Sequence, residues 1–297
     1  MTALSKEDRE KRAAARNSLL TAIGLAAMKT AVGLMTGSLG ILAEAAHSAL
    51  DLVAAVMTFL AVRISGKPPD VDHHYGHGKV ENLSALFETG ILLATCVWIV
   101  REAAGRLTRH DAHMEVNVWS FGVMAVSVIA NSARSRVLAR IARRYQSQAL
   151  EADALHFQTD MWSSAVVIAG LIAVVVADHV PNLEWLRGGD AVAALGVSGI
   201  IVWVSVALGR RTVDALLDRA PAGMERQIAR AAEGVAGVHN CHNVRIRASG
   251  PKMFIDLHVL VDGKQTLTEA HDLTERIEAA IQQLAPQADV TVHPEPL

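Results

Sequence analysis

Residues 161–177 (MWSSAVVIAGLIAVVVA) and 191–209 (AVAALGVSGIIVWVSVALG) contain no Asp, Glu, Lys or Arg. Each approaches the roughly 20 apolar residues that cross a bilayer. Two such runs leave a membrane bundle, or far less readily a soluble helical core, as the only folds open to the chain. Composition agrees: of 297 residues 51% are hydrophobic and 20% charged, against about 25% charged in ordinary soluble domains. Four further segments, at about 18–38, 40–63, 81–105 and 116–139, are apolar but interrupted. Six spans are therefore predicted.

Short-loop charges orient the spans. Arg9, Lys11, Arg12 and Arg16 precede the first, and Arg63, Lys67 and Lys79 separate the second and third. Arg134, Arg136, Arg140, Arg143 and Arg144 close the fourth, and Arg210 and Arg211 follow the sixth. A six-span count puts all of these on one side, which makes that side and both termini cytoplasmic. Arg101, Arg106 and Arg109 fall on the other side and oppose it weakly. Residues 1–16 are too polar for a signal peptide and read as a cytoplasmic tail, with a membrane domain at 17–212. Cys96 and Cys241 do not form a disulfide framework.

From residue 213 to 297 the pattern changes to α-β-β-α-β. Helical ERQIARAAEGV precedes the strand-like HNVRIRA and KMFIDLHVLV, joined by an SGP turn; TEAHDLTERIEAAIQQL and ADVTVHP follow. Phe254, Asp256, His258 and Leu260 share one face of the second strand, and Ile255, Leu257 and Val259 the other. About 80 residues suffice for an independent α+β domain.

The chemistry begins inside the apolar segments. His47 and Asp51 lie four residues apart, hence on one helix face. His156 and Asp160 repeat the spacing at the head of span five. Ionisable residues in spans are costly and turn inward to partners. Two imidazoles and two carboxylates make a tetrahedral set suited to Zn²⁺, and two aspartates neutralise one divalent ion. One HxxxD alone reads as a local helix contact; two copies in apolar spans favour a metal. Span five has to begin in the cytoplasm to bring the pairs level. Metal must displace protons from its ligands, so such a site can exchange the two. Neither a GxxxxGK[ST] nor a DKTG-like sequence occurs, which favours a secondary transporter over an ATP-driven pump.

The loop KPPDVDHHYGHGKVEN supplies Asp70, His73 and His77, with Asp72, His74 and Glu81 as spares. The last domain carries His239, His242, His258, His271 and His293. His242, His258 and His293 fall on the three strands and His271 on the covering helix, and a zinc site drawn from them is expected. The net charge of −2 and the lack of a basic stripe with interleaved aromatics exclude a nucleic-acid reader. Trp119 and Trp185 fit interfacial belts, and Trp98 and Trp203 face lipid or pack. Lys29, in span one, either pairs with Glu44 or snorkels; its long stem favours snorkelling.

HSALD, DVDHHYGHGKVEN, HFQTD, SGPKMFIDLHVLVD, EAH and VTVHPEP together resemble the cation diffusion facilitators, bacterial-type zinc and iron exporters, over nearly the whole chain. The resemblance implies a mainly α membrane protein: a six-transmembrane-helix bundle followed by a small α+β, metallochaperone-like cytoplasmic domain. It implies an inner-membrane homodimer that exports divalent metal for protons and is not an enzyme. It places a transport site on His47, Asp51, His156 and Asp160, and a loop site on Asp70, His73 and His77. A dimer-interface site falls on His242, His258, His271 and His293, with Glu295 where some relatives carry aspartate. Lys79 and Asp218 match a charge interlock. Broad-range bacterial relatives carry aspartate in place of His47; imidazole there favours Zn²⁺, while the loop, closer to the broader group, leaves Co²⁺, Fe²⁺ and Cd²⁺ open. A membrane-anchored metal sensor that does not conduct is the alternative. A metalloenzyme is disfavoured because four protein ligands leave no open position.

Overall fold

The computed structural model describes residues 5–37, 39–109, 118–179, 189–250 and 252–297. Among them six long helices come first: α1 (Lys6–Thr36), α2 (Leu39–Ser65), α3 (Lys79–Arg109), α4 (Val118–Tyr145), α5 (Gln148–His179) and α6 (Gly189–Leu216). A small domain follows as α7 (Met224–Glu233), β1 (Asn240–Ser249), β2 (Lys252–Val261), α8 (Leu267–Leu284) and β3 (Ala288–Pro296). Trp185 and Pro251 lie outside the described residues, as does the side chain of Trp119.

Four of the described helices are long and apolar enough to cross a membrane: Lys6–Thr36, Glu44–Ser65, Lys79–Trp98 and Leu195–Leu216. The chain is a multi-pass helical membrane protein. The fourth and fifth predicted spans coincide with α4 and α5, which carry polar groups (Asn131, Arg134, Asp153 and His156) into buried positions. Trp98 and Trp203 are exposed, so neither packs within the bundle.

The expected tail is helical from Lys6 onward and continuous with α1. Ser5 starts it, its hydroxyl accepting the Asp8 N–H at 3.0 Å. Gly37, at φ 64°, ends it in the left-handed conformation that glycine adopts freely. A Cβ on Gly33 would sit 2.8 Å from Leu42 Cδ2, so that glycine lets α1 and α2 pack backbone to backbone.

Small residues and polar links join the helices. Ala14, Ala15, Ala61, Ala142, Ala149 and Ala154 surround Leu138, Leu150 and Phe157 in one buried cluster. Lys11 of α1 reaches Glu81 of α3 at 2.5 Å, both buried. Glu81 also accepts the hydroxyls of Ser65 (2.8 Å) and Ser147, so this spare loop ligand is committed inward. Arg134 lies 3.5 Å over the Phe157 ring and donates to Ser18, whose hydroxyl donates to Asp153 at 2.8 Å.

Lys29 differs from expectation. It is buried, with Nζ 3.0 Å from Glu44 Oε2. Close α1–α2 packing brings that carboxylate within reach, so the ammonium pairs rather than extending to the interface.

Helix α5 starts at Gln148, eight residues before His156, directly after the turn that closes α4 at Tyr145. Its 32 residues span about 48 Å, well beyond a hydrocarbon core of about 30 Å. That length lets His156 and Asp160, in its first half, stand level with His47 and Asp51 of α2.

In the small domain α7 and α8 pack on a sheet of order β1-β2-β3, with β1–β2 antiparallel and β2–β3 parallel. Ile255, Leu257 and Val259 point into a core with Ile228, Leu273, Ile277 and Ile281, as the alternation predicts. Each such side chain contributes about 1.5–3 kcal/mol by burial. Thr266 and Glu269 form a reciprocal capping box that fixes the start of α8.

Candidate metal centre

Helices α2 and α5 touch inside the bundle, and the two HxxxD pairs meet there. Asp51 Oδ1 lies 3.1 Å from His156 Nε2 and 3.8 Å from His47 Nε2. Asp160 Oδ1 lies 3.8 Å from His47 Nε2, and its Oδ2 lies 3.7 Å from His156 Nε2. Each histidine therefore faces both aspartates, and each aspartate both histidines. Ligand atoms of His47, Asp51 and Asp160 fall within 4.8 Å of one another. His156 is 1% exposed and Asp51 7%. Acceptor-rich and compact, with Asp51 and His156 buried and His47 and Asp160 partly so, the group could hold a small divalent cation, whose charge two carboxylates would balance.

The loop after α2 closes on itself around Asp70. Its Oδ1 accepts the backbone N–H of His73 at 2.7 Å and of Asp72 at 3.1 Å, and lies 3.1 Å from His73 Nδ1. Oδ2 lies 3.3 Å from His77 Nε2. The His73 N–H aimed at it holds the Asp70 carboxyl below its usual value. Asp70, His73 and His77 form a second compact group; Asp72 and His74 stay exposed outside it.

The third group lies on the sheet. Register pairs His242 with His258 and His258 with His293, so three histidines stand in a row across the strands. Glu295 lies 2.8 Å from His258 Nδ1 and 3.2 Å from His242 Nε2. His242, His258 and Glu295 are mutually within 4.8 Å. His293 stands beside them, 3.9 Å from Glu295. His271, on α8, instead faces Glu275 at 3.5 Å. The hydrogen bond from His258 lowers the Glu295 carboxyl from its usual value.

Some participants escaped the sequence reading. A bulge at Asn243 (φ 51°) turns its amide toward His258 Nε2 at 3.2 Å, which directs the ring's Nδ1–H to Glu295. Glu88 and Asp153, both fully buried, lie within Coulombic range of His156; a carboxylate seven residues after Glu81 in the apolar run of α3 was the signal for Glu88. The loop docks on the small domain: Arg247 stacks 3.5 Å from the Tyr75 ring, which meets Phe254 edge-on at 5.0 Å. These three, with His73, His77 and Lys79, line a cleft of about 280 Å³. Lys79 Nζ lies 2.8 Å from Asp218 and donates to the Leu216 carbonyl at 3.3 Å.

A helical membrane bundle with a compact interior histidine–aspartate group, followed by a histidine-bearing small domain, has the architecture of a membrane carrier of divalent metal ions. The description "Cation efflux transmembrane domain" matches residues 16–217, and "Cation efflux protein, cytoplasmic domain" matches residues 221–297. The chain belongs to this cation efflux family, the cation diffusion facilitators. A "Cation-efflux pump FieF" of Pectobacterium carotovorum subsp. carotovorum is 32% identical over 289 residues, 96% of this chain and 92% of the relative. One from Salmonella newport is 31% identical over 264 residues, 88% and 84% of the two chains. A solved structure titled as a MamM CTD variant aligns with 25% of this chain and 94% of its own, at 29% identity and a TM-score of 0.24. The protein is a secondary transporter that moves divalent metal ions out, and its second match is to a dimer-forming module.

Proposed function

We propose that the chain exports Zn²⁺ from the cytoplasm in exchange for protons through one site made by His47, Asp51, His156 and Asp160. The observation that carries this reading is the 3.1 Å approach of His156 Nε2 to Asp51 Oδ1, which joins two helices at ligand distance in the bundle interior. Two imidazole nitrogens favour zinc over Mn²⁺, which prefers oxygens; Co²⁺, Fe²⁺ and Cd²⁺ are the secondary candidates.

With the site open to the cytoplasm, both imidazoliums give up a proton as Zn²⁺ binds. Two protons and one divalent ion carry equal charge, so the site's net charge is the same in both loaded forms. After the bundle turns outward, external protons compete for the ring nitrogens and release the metal.

The setting is a homodimer in the inner membrane, with six spans and both termini cytoplasmic. Residues 1–16 lead into a membrane domain at 17–212, and a metal-binding, dimerising domain occupies 213–297. Asp70, His73 and His77 hold a metal at the loop. His242, His258 and Glu295, with His293 beside them, hold one on the sheet, and His271 joins that interface site only through the dimer. Lys79–Asp218 ties the loop to the end of α6.

Zinc flux into sealed, inside-out vesicles tests this reading. Uptake is expected for wild type and not for Asp51→Ala or Asp160→Ala. Normal flux in either variant removes the four-ligand site, and metal binding without flux in wild type identifies a sensor.

A further inference from the structure

His156 has a second ring nitrogen. Its Nε2 faces Asp51, while Nδ1 is buried with no hydrogen-bond partner. When Nε2 binds metal, the neutral ring carries its hydrogen on Nδ1. That leaves a donor in need of an acceptor inside the bundle. Metal-bound histidines almost always donate this second N–H to a carboxylate, carbonyl or water.

Two acceptors with an idle oxygen stand nearby. Glu88 on α3 is 0% exposed; Oε1 accepts the hydroxyl of Thr58, and Oε2 is buried without a partner. Asp153 on α5 is also 0% exposed; Oδ2 accepts the Ser18 hydroxyl, and Oδ1 has no partner. Glu88 lies within Coulombic range of both Asp153 and His156. Thr58, which holds it, is seven residues beyond Asp51 on α2, or about 10 Å along the helix. Glu88 therefore lies where α3 packs against both α2 and α5.

The two carboxylates are not equally free. Ser18 receives two hydrogen bonds from Arg134, at 2.8 and 3.2 Å, and Arg134 is itself stacked on Phe157. Asp153 is thereby locked to a rigid group. Glu88 has one hydroxyl contact and a side chain longer by one methylene, so it can turn.

We infer that Glu88 is a positioning residue for the metal site: on loading, its Oε2 accepts the Nδ1–H of His156 and fixes the ring with Nε2 toward the metal. The inference rests on the reading of His156 as a ligand. No proton changes hands in this step. The bland alternative is that Glu88 and Thr58 merely join α2 to α3.

Zinc flux as a function of concentration, in proteoliposomes of the full chain, separates the two. Glu88→Met keeps the volume but removes the acceptor, and Glu88→Gln keeps an acceptor oxygen. We expect Glu88→Met to raise the zinc KM about 10–100-fold, Glu88→Gln to restore most of it, and Thr58→Val to leave KM within about twofold. Glu88→Ala serves if the Met variant does not fold. An unchanged KM in the Met or Ala variant overturns the inference, whatever happens to the Tm. So does a rise that Gln does not reverse, or one produced by Asp153→Asn instead. Asp51→Ala runs in parallel: flux retained there removes the site itself, whereas its loss with an unchanged Glu88→Met KM removes only this inference.

Discussion

Asp51 and His156, 105 residues apart in sequence, meet with Oδ1 and Nε2 at 3.1 Å in the bundle interior. Neither is bound to its own helix partner as tightly: His47–Asp51 is 3.8 Å and His156–Asp160 is 3.7 Å. The cross-helix contact is what makes two local HxxxD pairs into one site. A buried carboxylate and imidazole there are unstable unless paired or metal-bound, so the atoms proposed to hold the cargo also join α2 to α5.

Under the proposed four-ligand site, His47 is expected to set the metal preference. Replacing its imidazole by carboxylate in His47→Asp adds an oxygen ligand and a charge. The variant is expected to accept Cd²⁺ at rates approaching those for Zn²⁺, while wild type strongly prefers Zn²⁺. Competition between the two metals in vesicle uptake measures the change. An unaltered ratio would show that His47 does not contact the cargo.

Lys79 and Asp218 are an exposed pair at 2.8 Å, and such a pair stabilises by about 0.2–1 kcal/mol. Lys79→Ala is therefore expected to change the Tm little. Its effect should fall on transport, because the lysine also caps the Leu216 carbonyl at the end of α6. Charge reversal at both positions (Lys79→Asp with Asp218→Lys) should recover part of the lost rate. Flux measured in the single and double variants checks this.

Gly78 packs against the small domain so closely that a Cβ would lie 2.3 Å from the Ser249 carbonyl oxygen. The neighbour is backbone and cannot swing away. Gly78→Ala should thus separate the loop from the β1–β2 hairpin and release Tyr75 from Arg247. Increased proteolysis of the loop, with the small domain's own core intact, is the expected outcome.

Glu295 gives a pH signature. Hydrogen bonding from His258 places its folded-state pKa below the unfolded value of about 4.3. Its stabilisation is complete above the unfolded value and fades as pH falls through the lower folded one. As pH falls below the unfolded value, wild type should lose Tm more steeply than Glu295→Gln. Parallel curves for the two proteins would contradict the assignment.

Much of this was legible in the sequence because period and spacing are local properties. Ile255, Leu257 and Val259 announced the buried strand face, and the spacing of the two HxxxD pairs placed each His and Asp on one helix face, where the structure brings them together. Lys29 was misread because its partner's reach depends on how closely α1 and α2 cross, a tertiary fact set at Gly33 and Leu42. Asn243 was invisible because the bulge that turns it onto His258 arises only when β1 pairs with β2. The docking of Tyr75 between Arg247 and Phe254 likewise joins residues that no sequence period relates.

The most direct test of the central claim is zinc-driven proton movement in proteoliposomes carrying an internal pH dye. With zinc outside and cytoplasmic faces outward, uptake through wild type should drive protons out and raise the internal pH, and Asp51→Ala should produce no change. Zinc entry with no pH change in wild type, or equal proton movement in Asp51→Ala, would contradict exchange at the four-ligand site.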